Sequence, residues 1–235
     1  KVLGLFSPSH VNFEHDHISE IDPNEPSIME MTKVAMDLLS KNHDGYYEGN
    51  PHRTLPRSSL VAVSVPCRHV DGFFDGIAYQ EAVQYALDNT DPKETLIIST
   101  ADHGHAIAFN GYCGRGSLVT GLYMEIDYAG EMHGPEPNLA ADDNTYTVIS
   151  VGNGPGSILY PDGPNFSNVT DEMGAVMRPN VTEEEARDPD YVQQSLVPMR
   201  SETHSGTDVA IYAQGPWSHL FMGTVEQTYI YDVMW

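Results

Sequence analysis

Basic side chains are scarce in this chain. Against 34 Asp and Glu there are only 11 Lys and Arg among 235 residues, a formal charge of −23. A surface this acidic repels phosphate backbones, so direct nucleic-acid readout is not expected. Cysteine is scarcer still. Cys67 and Cys113 can form one bridge at most and lack the spacing of a metal site, and on cysteine alone the redox compartment stays open. No run reaches the roughly 18 apolar residues of a membrane span. The chain opens at Lys1 on the apolar run Val2–Phe6 with neither Met nor a leader ahead of it. It reads as cut from something longer, so the missing leader says nothing about compartment.

What is present is enough for a core. A hydrophobic fraction of 40% and 13 Tyr mark a globular chain rather than a disordered acidic tail. At roughly 100 to 200 residues per domain, the length allows one large domain or two small ones. Three Asn-x-Ser/Thr sequons, at Asn165, Asn168 and Asn180, lie in a polar Gly/Pro/Asp-rich stretch that can accommodate a glycan, a modest pointer toward secretion.

Along the chain, Val2–Phe6 reads as a strand, followed by a polar loop with His10, His15 and His17. A helix opens at Pro26-Ser27, with apolar residues at Ile28, Met31, Val34, Ala35, Leu38 and Leu39 in a 3.6-residue period. Ser27 and Glu30 form a capping box. Residues 41–75 have no clean period, although Leu60–Val65 is β-branched. A second helix is predicted over Ile77–Leu87, and Leu96–Thr100 is a continuous apolar strand. From about Gly111 to Met199 the composition turns to Gly, Pro, Asp and Asn, an insertion-like region with short strands such as Tyr146–Val151. Strand and helix patterning returns at Asp208–Ala213 and Gln227–Val233. The alternation predicts an α/β fold with a largely parallel sheet, divided as a partial core over 1–110, a loop-rich insertion over 111–200 and a return to the core over 201–235.

Ligands of open α/β sheets bind beyond the carboxyl ends of strands. Asp102, His103 and His105 follow such an end, and one carboxylate with two imidazoles can serve a zinc ion or orient another ligand. The plainer reading is a turn whose Asp caps a helix and whose histidines are solvated. His204, in Ser201-Glu202-Thr203-His204-Ser205-Gly206, is by itself a surface histidine. His10, His15 and His17 with Glu14 and Asp16 read as a solvated loop, since no stiff element fixes their spacing. Gly152-Asn153-Gly154-Pro155-Gly156 lacks the Lys-Ser/Thr ending of a phosphate loop and reads as a turn.

Taken in order, several blocks resemble the C-terminal half of an alkaline phosphatase of the animal type. They are Pro26–Thr32, Gly76–Gln80, Ser99–His105, Gly152–Gly156 and the run Ser201–Met234. The resemblance implies a three-layer α/β/α sheet, here partial, with a loop-rich insertion near 111–199 like the family's crown, which lies near the dimer interface. It implies a phosphate monoester hydrolase with two Zn²⁺ ions and a Mg²⁺ beside them, a homodimer at the cell surface or outside the cell, and a lipid anchor of the glycosylphosphatidylinositol type. By position, Asp102 and His103 would ligate the zinc that activates a serine nucleophile, and His204 the zinc that handles the leaving group. His105 would orient a carboxylate ligand. The serine, the phosphate-holding Arg and one Asp ligand belong to a half that this chain does not carry, so the chain alone is expected to be inactive.

Val65, Val70 and Phe74 stand where the family's pattern has Glu, Asp and His, and apolar side chains cannot ligate a hard cation. Only His69, Asp71 and Asp75 are nearby substitutes. Ser7 stands where the family's calcium site wants an acidic residue, although Glu25 falls on another acidic position of that site, so weak or absent calcium binding is expected. These losses favour a rival reading, a non-catalytic glycoprotein or interaction module of the same family.

Overall fold

The computed structural model describes residues 6–7, 11–18, 25–41, 69–114, 116–126 and 136–234. The strand expected at Val2–Phe6 and the β-branched run Leu60–Val65 fall outside these residues, save Phe6. By the clustering of their contacts the residues form two compact units. The first comprises Lys1–Ser64, Phe74–Gly104 and Thr207–Trp235; the second comprises Val65–Phe73 and His105–Gly206.

The elements in chain order are α1 (Glu14–Ile18), α2 (Ile28–Leu39), α3 (His69–Asp88), β1 (Ile97–Thr100), β2 (Gly104–His105), β3 (Ile107–Phe109), β4 (Ile149–Val151), β5 (Asn153–Gly154), α4 (Glu183–Arg187), β6 (Val197–Pro198), β7 (His204–Ser205), β8 (Ile211–Gln214), a 3₁₀ turn (Ser218–Leu220) and α5 (Tyr229–Met234). This is a mixed α/β chain, as the patterning predicts.

In the first unit, α2 begins where Ser27 caps it. The Ser27 hydroxyl accepts from the Glu30 amide at 3.2 Å, and the Glu30 carboxylate accepts from the Ser27 amide at 3.0 Å. Together these satisfy two of the amides that a helix start leaves orphaned. α3 is longer than the predicted Ile77–Leu87 and reaches back to His69. Gly72 and Gly76 interrupt its apolar period, which is why the first two turns escape periodicity. Its small residues Ala78 and Ala82 are buried, and the Tyr79 hydroxyl meets the Ser99 hydroxyl at 2.6 Å, which fastens the helix to β1. β1 pairs antiparallel with β8, Ile97 opposite Gln214 through Thr100 opposite Ile211. At the end of β8, Gly215 has φ +111, and a Cβ there would lie 2.0 Å from the Thr95 carbonyl oxygen, so only glycine allows the two backbones this close.

In the second unit, β3 pairs antiparallel with β4 and β5 pairs parallel with β6. Parallel pairing therefore does not predominate among the described ladders. β8 enters after about a hundred residues of excursion, a connection long enough to bring a strand back in either direction. The core of this unit is built by loops as much as by strands. Ile149 is fully buried, and Leu122, Tyr123, Val148, Val151, Val181 and Ala186 are nearly so. Leu122, Val181 and Ala186 form one cluster with Tyr191 packed on it. α4 is started by a second capping box, Thr182 with Glu185, and Glu183 accepts from the Leu122 amide at 2.9 Å. Arg178 grips Asp142 through Nε at 2.7 Å and Nη2 at 2.9 Å, and donates to the carbonyls of Asn144 and Thr145. A planar guanidinium satisfies several acceptors of an irregular loop at once.

Candidate metal-binding residues

In the second unit, His105 on β2 and His204 on β7 stand on paired strands. Their donor nitrogens lie within 4.8 Å of each other, and the rings meet edge to face with centroids 5.3 Å apart. The His105 side chain is 8% exposed and that of Glu202 only 3%, and the two are joined through Nδ1 and Oε2. The other carboxylate oxygen, Oε1, accepts from the Ala106 amide at 2.6 Å. A carboxylate facing Nδ1 favours the ring proton there, so Glu202 sets the direction of the imidazole. His204 is exposed.

Glu202 and His204 both meet His105, while Thr203 between them bonds Asn153 instead. The Asn153 Oδ1 accepts from the Thr203 amide at 2.9 Å and its Nδ2 donates to the Thr203 hydroxyl at 2.8 Å. Glu202 and Asn153 carry the positioning here, and sequence reasoning assigned a role to neither. The glycine-rich run read as a turn contributes β5 as well as a turn, with Asn153 as its working residue.

In the first unit, Asp102 and His103 follow the end of β1. The Thr100 hydroxyl donates to the Ala210 carbonyl at 3.0 Å and the Gln227 side-chain amide to the Asp102 carbonyl at 3.0 Å, so the turn is tied on both sides. The Asp102 carboxylate lies 3.3 Å from His103 Nε2, with side chains 38% and 31% exposed. No helix follows this turn, since the chain runs directly into β2 and β3, and Asp102 is therefore not a helix cap.

The other sequence candidates are placed as follows. Glu14, His15, Asp16 and His17 are not a solvated loop but the half-buried helix α1. His15 packs on Phe74 with ring centroids 5.0 Å apart, and His17 Nε2 lies 2.5 Å from the Glu25 carbonyl. Burial pushes the Glu14 carboxyl above its usual range. His10 lies outside the described residues. Asp75 accepts from the Glu14 amide at 2.8 Å, which satisfies the first amide of α1. Val70 and Asp71 are buried in the second unit. Val65 and Cys67 lie outside the described residues, and Cys113 is a free thiol. Glu25 is buried and accepts from the Asn12 amide at 3.0 Å. Of the sequons, Asn165 is half-buried and Asn168 and Asn180 are exposed.

The His and carboxylate groups of this α/β chain lie at strand ends, the place where open α/β sheets bind their ligands. The profile of the alkaline phosphatase family matches residues 1–235, and the chain belongs to that family. It is 32% identical to alkaline phosphatase 4 of Drosophila melanogaster, an alignment covering 99% of this chain and 36% of the relative. It is 32% identical to the tissue-nonspecific isozyme of Rattus norvegicus and 33% identical to that of Gallus gallus, covering 99% of this chain and 38% of each. The chain thus spans little more than a third of the length of these curated relatives.

Proposed function

We propose that this chain is the part of a phosphate monoester hydrolase that supplies Asp102 and His103 to one zinc ion and His204 to another. The observation that carries the reading is the Glu202–His105 pair, a buried carboxylate and imidazole placed beside an exposed histidine. That is the support a metal-ligating group needs to hold its direction. The donor sets fit: a carboxylate oxygen with an imidazole in the first unit and an imidazole in the second are both ordinary zinc ligands. When bound, zinc would lower the pKa of an attacking oxygen and stabilise a leaving one.

The chain's own residues then act in defined ways. Asp102 and His103 present adjacent donors on a turn tied at Thr100 and Gln227. His204 presents its ring beside Thr203, which Asn153 holds. His105, fixed by Glu202, orients its neighbours. The serine nucleophile is not among these residues, so the chain alone is inactive on this reading. Residues 111–200 are the crown-like insertion, and the whole protein is a homodimer outside the cell or at its surface, lipid-anchored. No helix among the described residues is long and apolar enough to cross a membrane.

Magnesium is a different case. Val70 and Phe74 occupy two of the positions where the family's pattern has ligands, and Val70 is buried while Phe74 packs on His15. These residues do not fit a hard cation, and no step is assigned to one. The same observation favours a second reading, a non-catalytic member of the family acting as an interaction module. Zinc titration of the chain, followed by calorimetry, and hydrolysis of p-nitrophenyl phosphate at alkaline pH test the proposal. Zinc binding that weakens in Asp102→Ala and in His204→Ala, with no turnover by the chain alone, is expected. A zinc stoichiometry near zero overturns the retained ligands, and turnover lost in His204→Ala overturns the inactivity. Hydrolysis by the full-length protein decides between enzyme and module.

A further inference from the structure

We propose that, of the three sequons, Asn168 and Asn180 carry N-linked glycans on the folded protein and Asn165 does not. All three lie in the second unit, and the hydrogen bonds of their side-chain amides sort them, independently of any phosphatase activity.

The Asn165 amide nitrogen is committed inward. Nδ2 donates to the Gly156 carbonyl at 3.2 Å and to the Val192 carbonyl at 2.7 Å. Both partners are backbone acceptors, so the group facing them must be the NH₂, and exchanging Oδ1 and Nδ2 would set oxygen against oxygen. Space is also short: a Cβ on Gly156 would lie 3.1 Å from Asn165 Nδ2 and 2.0 Å from the Gln193 carbonyl oxygen. Asn165 bridges two backbone stretches whose carbonyls would otherwise lose a donor.

Asn180 is arranged the other way round. Its Oδ1 accepts from the Thr145 amide and the Thr145 hydroxyl, each at 2.9 Å. A backbone N–H can only meet an acceptor, so the oxygen faces inward and Nδ2 faces out. Among the described residues Nδ2 makes no hydrogen bond, and the residue is exposed. Asn168 is likewise exposed, and its side chain makes no hydrogen bond among the described residues.

The chemistry of transfer makes this difference decisive. Nδ2 attacks the anomeric carbon of a lipid-pyrophosphate-linked oligosaccharide. An N–C bond forms, the bond from that carbon to the pyrophosphate oxygen breaks with its electron pair leaving on the phosphate, and one Nδ2 proton passes to a base. The product is a secondary amide with a single N–H. At Asn180 the two bonds to Oδ1 survive this change and the sugar points into solvent. At Asn165 one of the two carbonyls loses its donor, and the sugar must enter the space between two backbone segments. A buried acceptor left without its partner is costly, so a chain glycosylated there cannot reach this fold.

The test is site-resolved. The full-length protein is expressed through the secretory pathway of animal cells. The protease-resistant secreted fraction is treated with peptide N-glycosidase in ¹⁸O water, and each peptide is read by mass spectrometry. Label at Asn168 and Asn180 and none at Asn165 is expected. Label at Asn165 in that fraction, or its absence from Asn180, overturns the proposal. Because Asn180→Gln also removes the anchor for Thr145, the companion variant is Thr182→Asn, which abolishes the sequon but keeps a good helix cap. It should secrete normally with one glycan fewer, and an unchanged mass overturns the assignment of Asn180. Asn165→Gln should leave glycan mass unchanged while lowering secretion, and a loss of glycan mass there overturns the assignment of Asn165.

Discussion

The two units reach order by opposite routes. The first contains the longest regular elements, yet α2 leaves Val34 53% and Leu38 40% exposed, α3 leaves Ile77 55% exposed, and Tyr212 on β8 is 70% exposed. The second is mostly loop and also leaves apolar side chains such as Phe109, Tyr112 and Met173 exposed, yet it buries Ile149 and Ala186 completely along with Leu122, Val148, Val151 and Val181. A helix needs only local hydrogen bonds, whereas burial needs apolar residues from separate stretches to converge. In the loop-rich unit, side chains such as Arg178, Asn165 and Asn153 satisfy the backbone that strands leave unpaired, and that satisfaction is what allows loops to enclose a core. The site residues show the same contrast: Asp102 and His103 are a third exposed, while His105 and Glu202 are nearly sealed.

The sharpest test of this contrast is Ile149→Ala. Ile149 is fully buried, so the truncation should cost about 3 kcal/mol by lost transfer and cavity formation, read by denaturant unfolding. Glu202→Gln comes next. Its two oxygens each meet a donor, so the Gln Nε2 must face one donor and leave it unsatisfied. A stability loss of about 2 kcal/mol and a 10- to 100-fold fall in zinc affinity are expected, where Asp102→Asn should lower affinity with little loss of stability.

Tyr191 gives a smaller effect that depends on pH. Burial, the largest cause, pushes its hydroxyl from 10.0 up to about 12. The folded state therefore holds the phenol proton through a range in which the unfolded chain has released it. Stability is full below about pH 10 and falls by about 1.4 kcal/mol per pH unit as pH rises toward 12. Tyr191→Phe should flatten that decline in alkaline unfolding curves. Val34→Ala is expected to do least, within about 0.5 kcal/mol, despite lying on the best-patterned helix of the chain. A loss comparable to that of Ile149→Ala would abolish the distinction between the units.

How much could be read in advance follows the same division. α2 and its cap were legible from Ser27, Glu30 and the apolar spacing, because a helix start is a local event. β1 was legible from an unbroken apolar run, and Asp102 and His103 from their place after it. The first two turns of α3 were hidden by Gly72 and Gly76. α1 was hidden because Glu14 and His17 have a polar sequence that becomes half-buried only through distant partners, Asp75 and Glu25. Glu202 carries no local signal, because its partner is a histidine 97 residues away, and no local pattern reports such a distance. The sequons were legible as three equal motifs, and only the exposure and hydrogen bonding of their side chains tell them apart.

The Asn153 side chain, finally, offers Thr203 an acceptor and a donor on one planar amide. A peptide group of a neighbouring strand presents the same pair of atoms, so a single residue stands in for the edge of a sheet. Thr203 thus gains the protection of a ladder residue from the side chain of Asn153 rather than from its backbone. Its amide hydrogen should exchange with solvent slowly, at a pace set by local opening rather than by its position near the surface.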